Sequence, residues 1–187
     1  MNEEIAKTIE VLNQGGIILY PTDTIWGIGC AATNEKAAEK IYRIKKRQES
    51  KSMIILVSDE SMLNKYVKSV PSIARDWMKK TETPLTIVYD EGIHLAKTVL
   101  DEKGGVAVRI PKDEFCTELI YKFGKPIVST SANVSGEKTP QQFSDISSSI
   151  IAQVDYVVKW RTDDEANAKP STIIKVKSNG ELTIIRK

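Results

Sequence analysis

Two stretches of this chain concentrate small hydrogen-bonding side chains and glycines: Pro21-Thr22-Asp23-Thr24-Ile25-Trp26-Gly27-Ile28-Gly29 and Ser129-Thr130-Ser131-Ala132-Asn133-Val134-Ser135-Gly136. Either one alone is as well explained by turn formation, which favours these residue types. Each, however, directly follows a short apolar run, and in open α/β sheets ligands bind beyond the strand ends. A third feature is basic. Lys36, Lys40, Arg43, Lys45, Lys46, Arg47 and Lys51 stand against only Glu39 and Glu49. A solvated helix face is the ordinary reading of such a run, and a polyanion or nucleotide-phosphate site is the functional one. Two polar clusters and a basic run together favour a site.

Geometry sharpens that reading. A helix turns about 100° per residue, so Lys45 and Arg47 on one helix would point apart. They converge if the helix ends near Lys45 and the chain turns through Gln48-Glu49-Ser50. Lys45, Arg47 and Lys51 would then hold one triphosphate from three directions, with helix polarity favouring cations at that end. Arg109 differs, because it interrupts the apolar strand pattern Val106-Ala107-Val108-Arg109-Ile110. A charge beside a core is costly unless it is paired. Its guanidinium suits a carboxylate in bidentate fashion, supplied by a ligand or by a structural ion pair.

Other chemistries have little support. The single histidine, His94, lies in Gly92-Ile93-His94-Leu95, with no Gly-x-Ser-x-Gly nucleophile motif anywhere, and reads as structural or solvent-facing. Cys30 and Cys116 form no Cys-x-x-Cys pair, so zinc and thiol-redox readings lapse and both read as small buried hydrophobes. No Gly-x-x-x-x-Gly-Lys-Ser/Thr loop is present, which disfavours a P-loop ATPase. Trp26, Tyr42 and Trp160 are available for base stacking, but no basic-aromatic platform surrounds them, and packing is their ordinary role.

The elements that must position these residues alternate. A helix over 2–14, capped by Asn2 and stopped by Gly15-Gly16, precedes a strand at 16–20. Helices are expected near 35–46, 59–67 (capped by Asp59), 72–80 (opened by Pro71) and 113–123 (ended by Gly124). Strands are expected at 53–57, 85–89, 106–110, 126–130 and near 154–159, 171–176 and 181–185. That alternation predicts an α/β fold with a largely buried mixed sheet. The polar stretch 161–170 reads as a mobile surface segment and a candidate lid. A length of 187 residues, 41% hydrophobic and 28% charged, with a net charge of +2, is ordinary for one globular domain spanning 1–187. No apolar run approaches the roughly 20 residues of a membrane span. The N-terminus has no basic start or apolar stretch of a leader, so a cytoplasmic location is expected.

In order along the chain, Tyr20–Gly29, Lys45-Lys46-Arg47 with Lys51, Val106–Pro111, Pro126–Gly136 and Pro170-Ser171-Thr172-Ile173-Ile174 resemble the YrdC-like family of threonylcarbamoyl-AMP synthases. The resemblance implies a twisted mixed β-sheet flanked by helices around a basic concave cavity. It implies an L-threonylcarbamoyladenylate synthase, a nucleotidyltransferase that binds ATP, L-threonine and bicarbonate, with Mg²⁺ carried on the ATP phosphates and no protein metal ligand. The product would pass to a tRNA threonylcarbamoyl-transferase complex for t6A modification. By position, Lys45, Arg47, Ser131 and Asn133 are the implied catalytic signature. Arg47, Lys51, Gly105, Asn133, Gln141 and Arg186 would contact ATP, and Thr24, Arg109, Ser131 and Ser171 would contact threonine. The alternative is a non-catalytic or differently specific member of the same fold that binds nucleotide, tRNA or double-stranded RNA. Gln48, Ser52 and Thr83 depart from the family pattern, which touches loop geometry more than charge. The extra C-terminal domain of longer relatives is not expected.

Overall fold

The computed structural model describes residues 1–46, 53–164 and 170–187. Its elements in chain order are α1 (Asn2–Asn13), β1 (Ile18–Tyr20), β2 (Gly27–Gly29), α2 (Glu35–Lys45), β3 (Ile54–Leu56), α3 (Glu60–Tyr66), α4 (Ser72–Lys80), β4 (Leu85–Tyr89), β5 (Val106–Arg109), α5 (Glu114–Phe123), β6 (Ile127–Ser131), α6 (Ser148–Ile151), β7 (Tyr156–Val157), β8 (Thr172–Val176) and β9 (Leu182–Arg186). The nine strands form one sheet in the order β7-β1-β2-β6-β3-β5-β4-β8-β9. The pairs β1–β7, β3–β5 and β4–β8 are parallel and the rest antiparallel, so the mixed α/β sheet expected from the sequence is present.

Most helix ends follow local chemistry. Asn34 accepts from the Ala37 amide and starts α2, Asp59 accepts from Met62 N and starts α3, and Asp113 accepts from Cys116 N and starts α5. These bonds satisfy amides that the first helical turn leaves unpaired. Lys46 closes α2 and Gly124 closes α5, both with left-handed backbone. The Asn2 cap is a correction: Met1 is the N-cap residue and makes no side-chain bond, while Asn2 is already helical. Its Oδ1 instead accepts from Lys122 Nζ on α5. Ile5 and Leu12 of α1, with Phe115, Leu119 and Ile120 of α5, belong to the apolar core, and Ala38, Ile41 and Tyr42 of α2 join them.

The sequence pattern missed β2. Gly27-Ile28-Gly29 carries two glycines in three residues and reads as a turn. In the sheet those glycines serve close approach instead. A Cβ at Gly29 would lie 2.4 Å from the Val128 carbonyl oxygen and 2.7 Å from the Tyr20 ring. Tyr20 crosses this gap, and its hydroxyl donates to that same Val128 carbonyl. β2 thereby joins β1 to β6, bringing the two polar clusters side by side: Gly27 pairs with Ser131 and Ile28 with Thr130.

Candidate active site

A cavity of about 250 Å³ opens where those clusters meet the ends of β5 and β8. Thr24, Trp26, Arg109, Ser129, Ser131, Thr139, Ser171 and Arg186 line it. Five of the sequence-derived candidates are in that group: Thr24, Arg109, Ser131, Ser171 and Arg186.

Lys45 stands behind the Ser131 wall. α2 ends at Lys45, where the sequence led us to expect the helix end. Nζ donates to the carbonyl oxygens of Ser131 at 2.5 Å and Asn133 at 2.6 Å, with Ser131 Oγ and Asn133 Oδ1 each 3.5 Å away. The Ser135 amide donates back to the Lys45 carbonyl. The residue is only 2% exposed. An ammonium fixed in this way acts in a medium of lower dielectric than water, where its field reaches further. Asn133 also donates from Nδ2 to the Glu137 carbonyl, which holds the loop after β6. Arg47 and Lys51 lie outside the described residues.

Arg109 ends β5 at the far wall, and its side chain is 5% exposed. Nη2 lies 3.2 Å from Oδ1 of Asp23, whose side chain is 4% exposed. The ion-pair alternative for Arg109 is therefore realised, and the residue lines the cavity as well. Asp23 was not among the candidates. The signal was available, since an arginine in a buried strand requires an anion and Asp23 is the one acid within either polar cluster. Thr86 was also missed: its hydroxyl lies 2.8 Å from that of Ser171. Arg186 donates from Nε and Nη2 to the Ser171 carbonyl at 3.1 and 2.8 Å, fixing β9 over this corner.

Thr24 has a defined polarity. Thr22 Oγ1 donates to the Ile25 carbonyl at 2.7 Å and accepts from Thr24 N. Having spent its only proton, Thr22 is the acceptor in the 3.0 Å contact between the two hydroxyls. Thr24 must donate there, so it turns lone pairs rather than a proton toward any ligand.

The Sua5/YciO/YrdC family model, described as Telomere recombination, matches residues 10–187. The chain belongs to this family. Its relatives include the threonylcarbamoyl-AMP synthase of Pseudoalteromonas translucida, 34% identical over 184 residues that cover 95% of each chain. Another is the threonylcarbamoyl-AMP synthase of Xanthomonas euvesicatoria, 30% identical over 178 residues and 94% of each chain. Among solved structures, E. coli YciO superposes with a TM-score of 0.85 at 24% identity, over 100% of this chain and 90% of that one. P. abyssi Sua5 complexed with L-threonine superposes at 0.84 and 24%, over 94% of this chain and 52% of that one, so this chain spans about half its length. At those identities the two structures establish the Sua5/YciO/YrdC fold.

Two family-derived candidates lie away from the cavity wall. Gly105 precedes β5, and its amide donates to Asp101 Oδ1 at 2.7 Å. A Cβ there would meet that carboxylate at 2.4 Å, so the Asp101 turn explains the glycine. Gln141 is exposed beside a smaller depression that it shares with Thr22, Thr24 and Trp26. The residues set aside as structural are so placed. Cys30 and Cys116 are buried and His94 is exposed. Trp26 packs on Phe143 at 4.8 Å, and Trp160 stacks with Phe115 at 6.4 Å. Burial pushes the Cys30 thiol up to about 12 and the Cys116 thiol well above its ordinary value, so neither supplies a thiolate near neutrality. Residues 165–169 of the candidate lid lie outside the described residues. Among those described, no helix is long and apolar enough to cross a membrane.

Proposed function

We propose that this chain is an L-threonylcarbamoyladenylate synthase. It makes threonylcarbamoyl-AMP and pyrophosphate from L-threonine, bicarbonate and ATP, and so supplies tRNA t6A modification. The observation that carries this reading is convergence: a buried guanidinium (Arg109) and the hydroxyls of Thr24, Ser131 and Ser171 line one cavity, and the buried ammonium of Lys45 is held behind its Ser131 wall. The names of the relatives support the same substrates.

The cavity's size suits an amino acid better than a whole nucleotide, since drug-sized ligands fill about 300–1,000 Å³. Threonine occupies it with its carboxylate toward Arg109, while Thr24 accepts from the ligand's ammonium or hydroxyl. ATP lies across the mouth, its phosphates toward Lys45, Ser131 and Asn133, with Arg47 and Lys51 as further candidates and Arg186, Gln141 and Gly105 nearer its periphery. Threonine nitrogen and bicarbonate give a carbamate with loss of water. The carbamate carboxylate attacks the α-phosphorus, and pyrophosphate leaves. The chain's contribution is orientation and stabilisation of developing negative charge. Among the described residues no group of three or more His, Cys, Asp or Glu side chains converges to hold a metal ion. Mg²⁺ would be carried on the nucleotide phosphates, where it offsets their charge.

The test is pyrophosphate release from ATP and Mg²⁺ in the presence of threonine and bicarbonate. Omission of either co-substrate should abolish it. Release that ignores both, or no release together with RNA binding that weakens steeply with salt, would replace the synthase reading with the binder.

A further inference from the structure

We infer that Asp23 is a positioning residue for Arg109, and through it a determinant of specificity for a carboxylate-bearing substrate. The inference rests on the synthase reading for the identity of that substrate. The pairing itself rests on geometry alone.

Arg109 and Asp23 are buried together at the back of the cavity, 3.2 Å apart. Asp23 has one other anchor: Oδ2 accepts from the Lys112 amide at 3.2 Å. The carboxylate thus ties the loop before β2 to the turn that leaves β5. The contact with Arg109 is close enough for attraction but poorly aligned for a hydrogen bond. Asp23 Oδ1 and Arg109 Nε are both out of contact with solvent and without a hydrogen-bond partner among the described residues. A fully satisfied Arg–carboxylate pair would be bidentate, with two parallel N–H donors. Here the pairing is incomplete, and Arg109 keeps donor capacity at a wall of the cavity. Such bonds commonly tighten only when the ligand arrives. Asp23 therefore does two things. It holds a guanidinium that would otherwise be an uncompensated buried charge. It also offsets one of the two guanidinium charges, Arg109 and Arg186, at the cavity wall, which suits a zwitterion better than leaving both uncompensated would.

The experiment compares Asp23→Asn, Asp23→Glu, Arg109→Gln and the Asp23→Asn/Arg109→Gln double variant. Two readouts are used: KM and kcat for threonine and ATP, and the side-chain ¹⁵Nε–¹Hε resonance of Arg109 in the ligand-free protein. Asp23→Asn should raise the threonine KM about 10–100-fold, change the ATP KM less than about twofold, and shift or broaden the Arg109 resonance. Asp23→Glu should recover most of the threonine KM. In the Arg109→Gln background Asp23→Asn should add almost nothing, because the pair acts as one unit. An unchanged threonine KM and resonance in Asp23→Asn overturns the inference. So does an equal rise in both KM values, or a full Asp23→Asn effect in the Arg109→Gln background. If Asp23→Asn fails to fold, Asp23→Ser takes its place: a raised threonine KM with a near-wild-type ATP KM and a moved Arg109 resonance supports the role, and an unchanged threonine KM and resonance opposes it. A wild-type protein without threonine-dependent turnover, but with an Arg109 resonance that moves in Asp23→Asn, removes the synthase reading and leaves the pairing standing.

Discussion

At the scale of the residue, the unusual object is an ammonium buried to 2% exposure and gripped by backbone carbonyls of Ser131 and Asn133. Lys45 shapes the loop after β6 and sets a fixed positive field behind it. Lys45→Met keeps the apolar stem and removes the ammonium, both its charge and its bonds to the Ser131 and Asn133 carbonyls. Pyrophosphate release should fall by about 10²–10³, while circular dichroism stays native. Activity within a few-fold of wild type would confine Lys45 to architecture. Lys45 was legible in the sequence as a cation near the end of a helix and Ser131 and Asn133 as members of a polar cluster beyond a strand, while their grouping came from the family resemblance. Asp23 was not, because one acid inside a run of turn-forming residues has a local explanation, and its partner is 86 positions away on another strand.

At the scale of the element, two features can be weighed separately. Gly29 lets β2 approach β6, and Gly29→Ala forces a methyl group into the Val128 carbonyl and Tyr20 ring. Overpacking of this kind costs about 1–3 kcal/mol, readable as a lower urea midpoint, and it should displace the Ser131 wall as well. The Asp59 cap is testable by pH. Its hydrogen bond from Ser58, then that from the Met62 amide, hold the Asp59 carboxyl below its ordinary value of 3.8. The cap is therefore fully in force above pH 3.8 and is lost as pH falls through the lower folded value. Asp59→Ala should cost about 1 kcal/mol at neutral pH, and the gap to wild type should close in acid. A gap that persists at low pH would point to lost packing instead. Caps such as Asp59 and Gly124 were readable because they act within four residues. β2 was not, because glycines that allow a close approach look like glycines that make a turn.

At the scale of the whole molecule, the alternation of helices and strands predicted the class but not the strand order. β1 pairs in parallel with β7 (Ile18 with Tyr156), and β4 pairs in parallel with β8 (Leu85 with Thr172). No local pattern encodes partners so distant. Closing loops of that length delays the reward for pairing, which slows folding relative to helical bundles. The cavity inherits this delay, because Thr24, Arg109, Ser131 and Ser171 come from strands and loops that meet only when the sheet is complete. A substrate therefore has nothing to grasp on a half-built chain. Saturating threonine should leave the refolding limb of a chevron where it was and slow the unfolding limb alone. The site would then guard the finished protein without helping to make it.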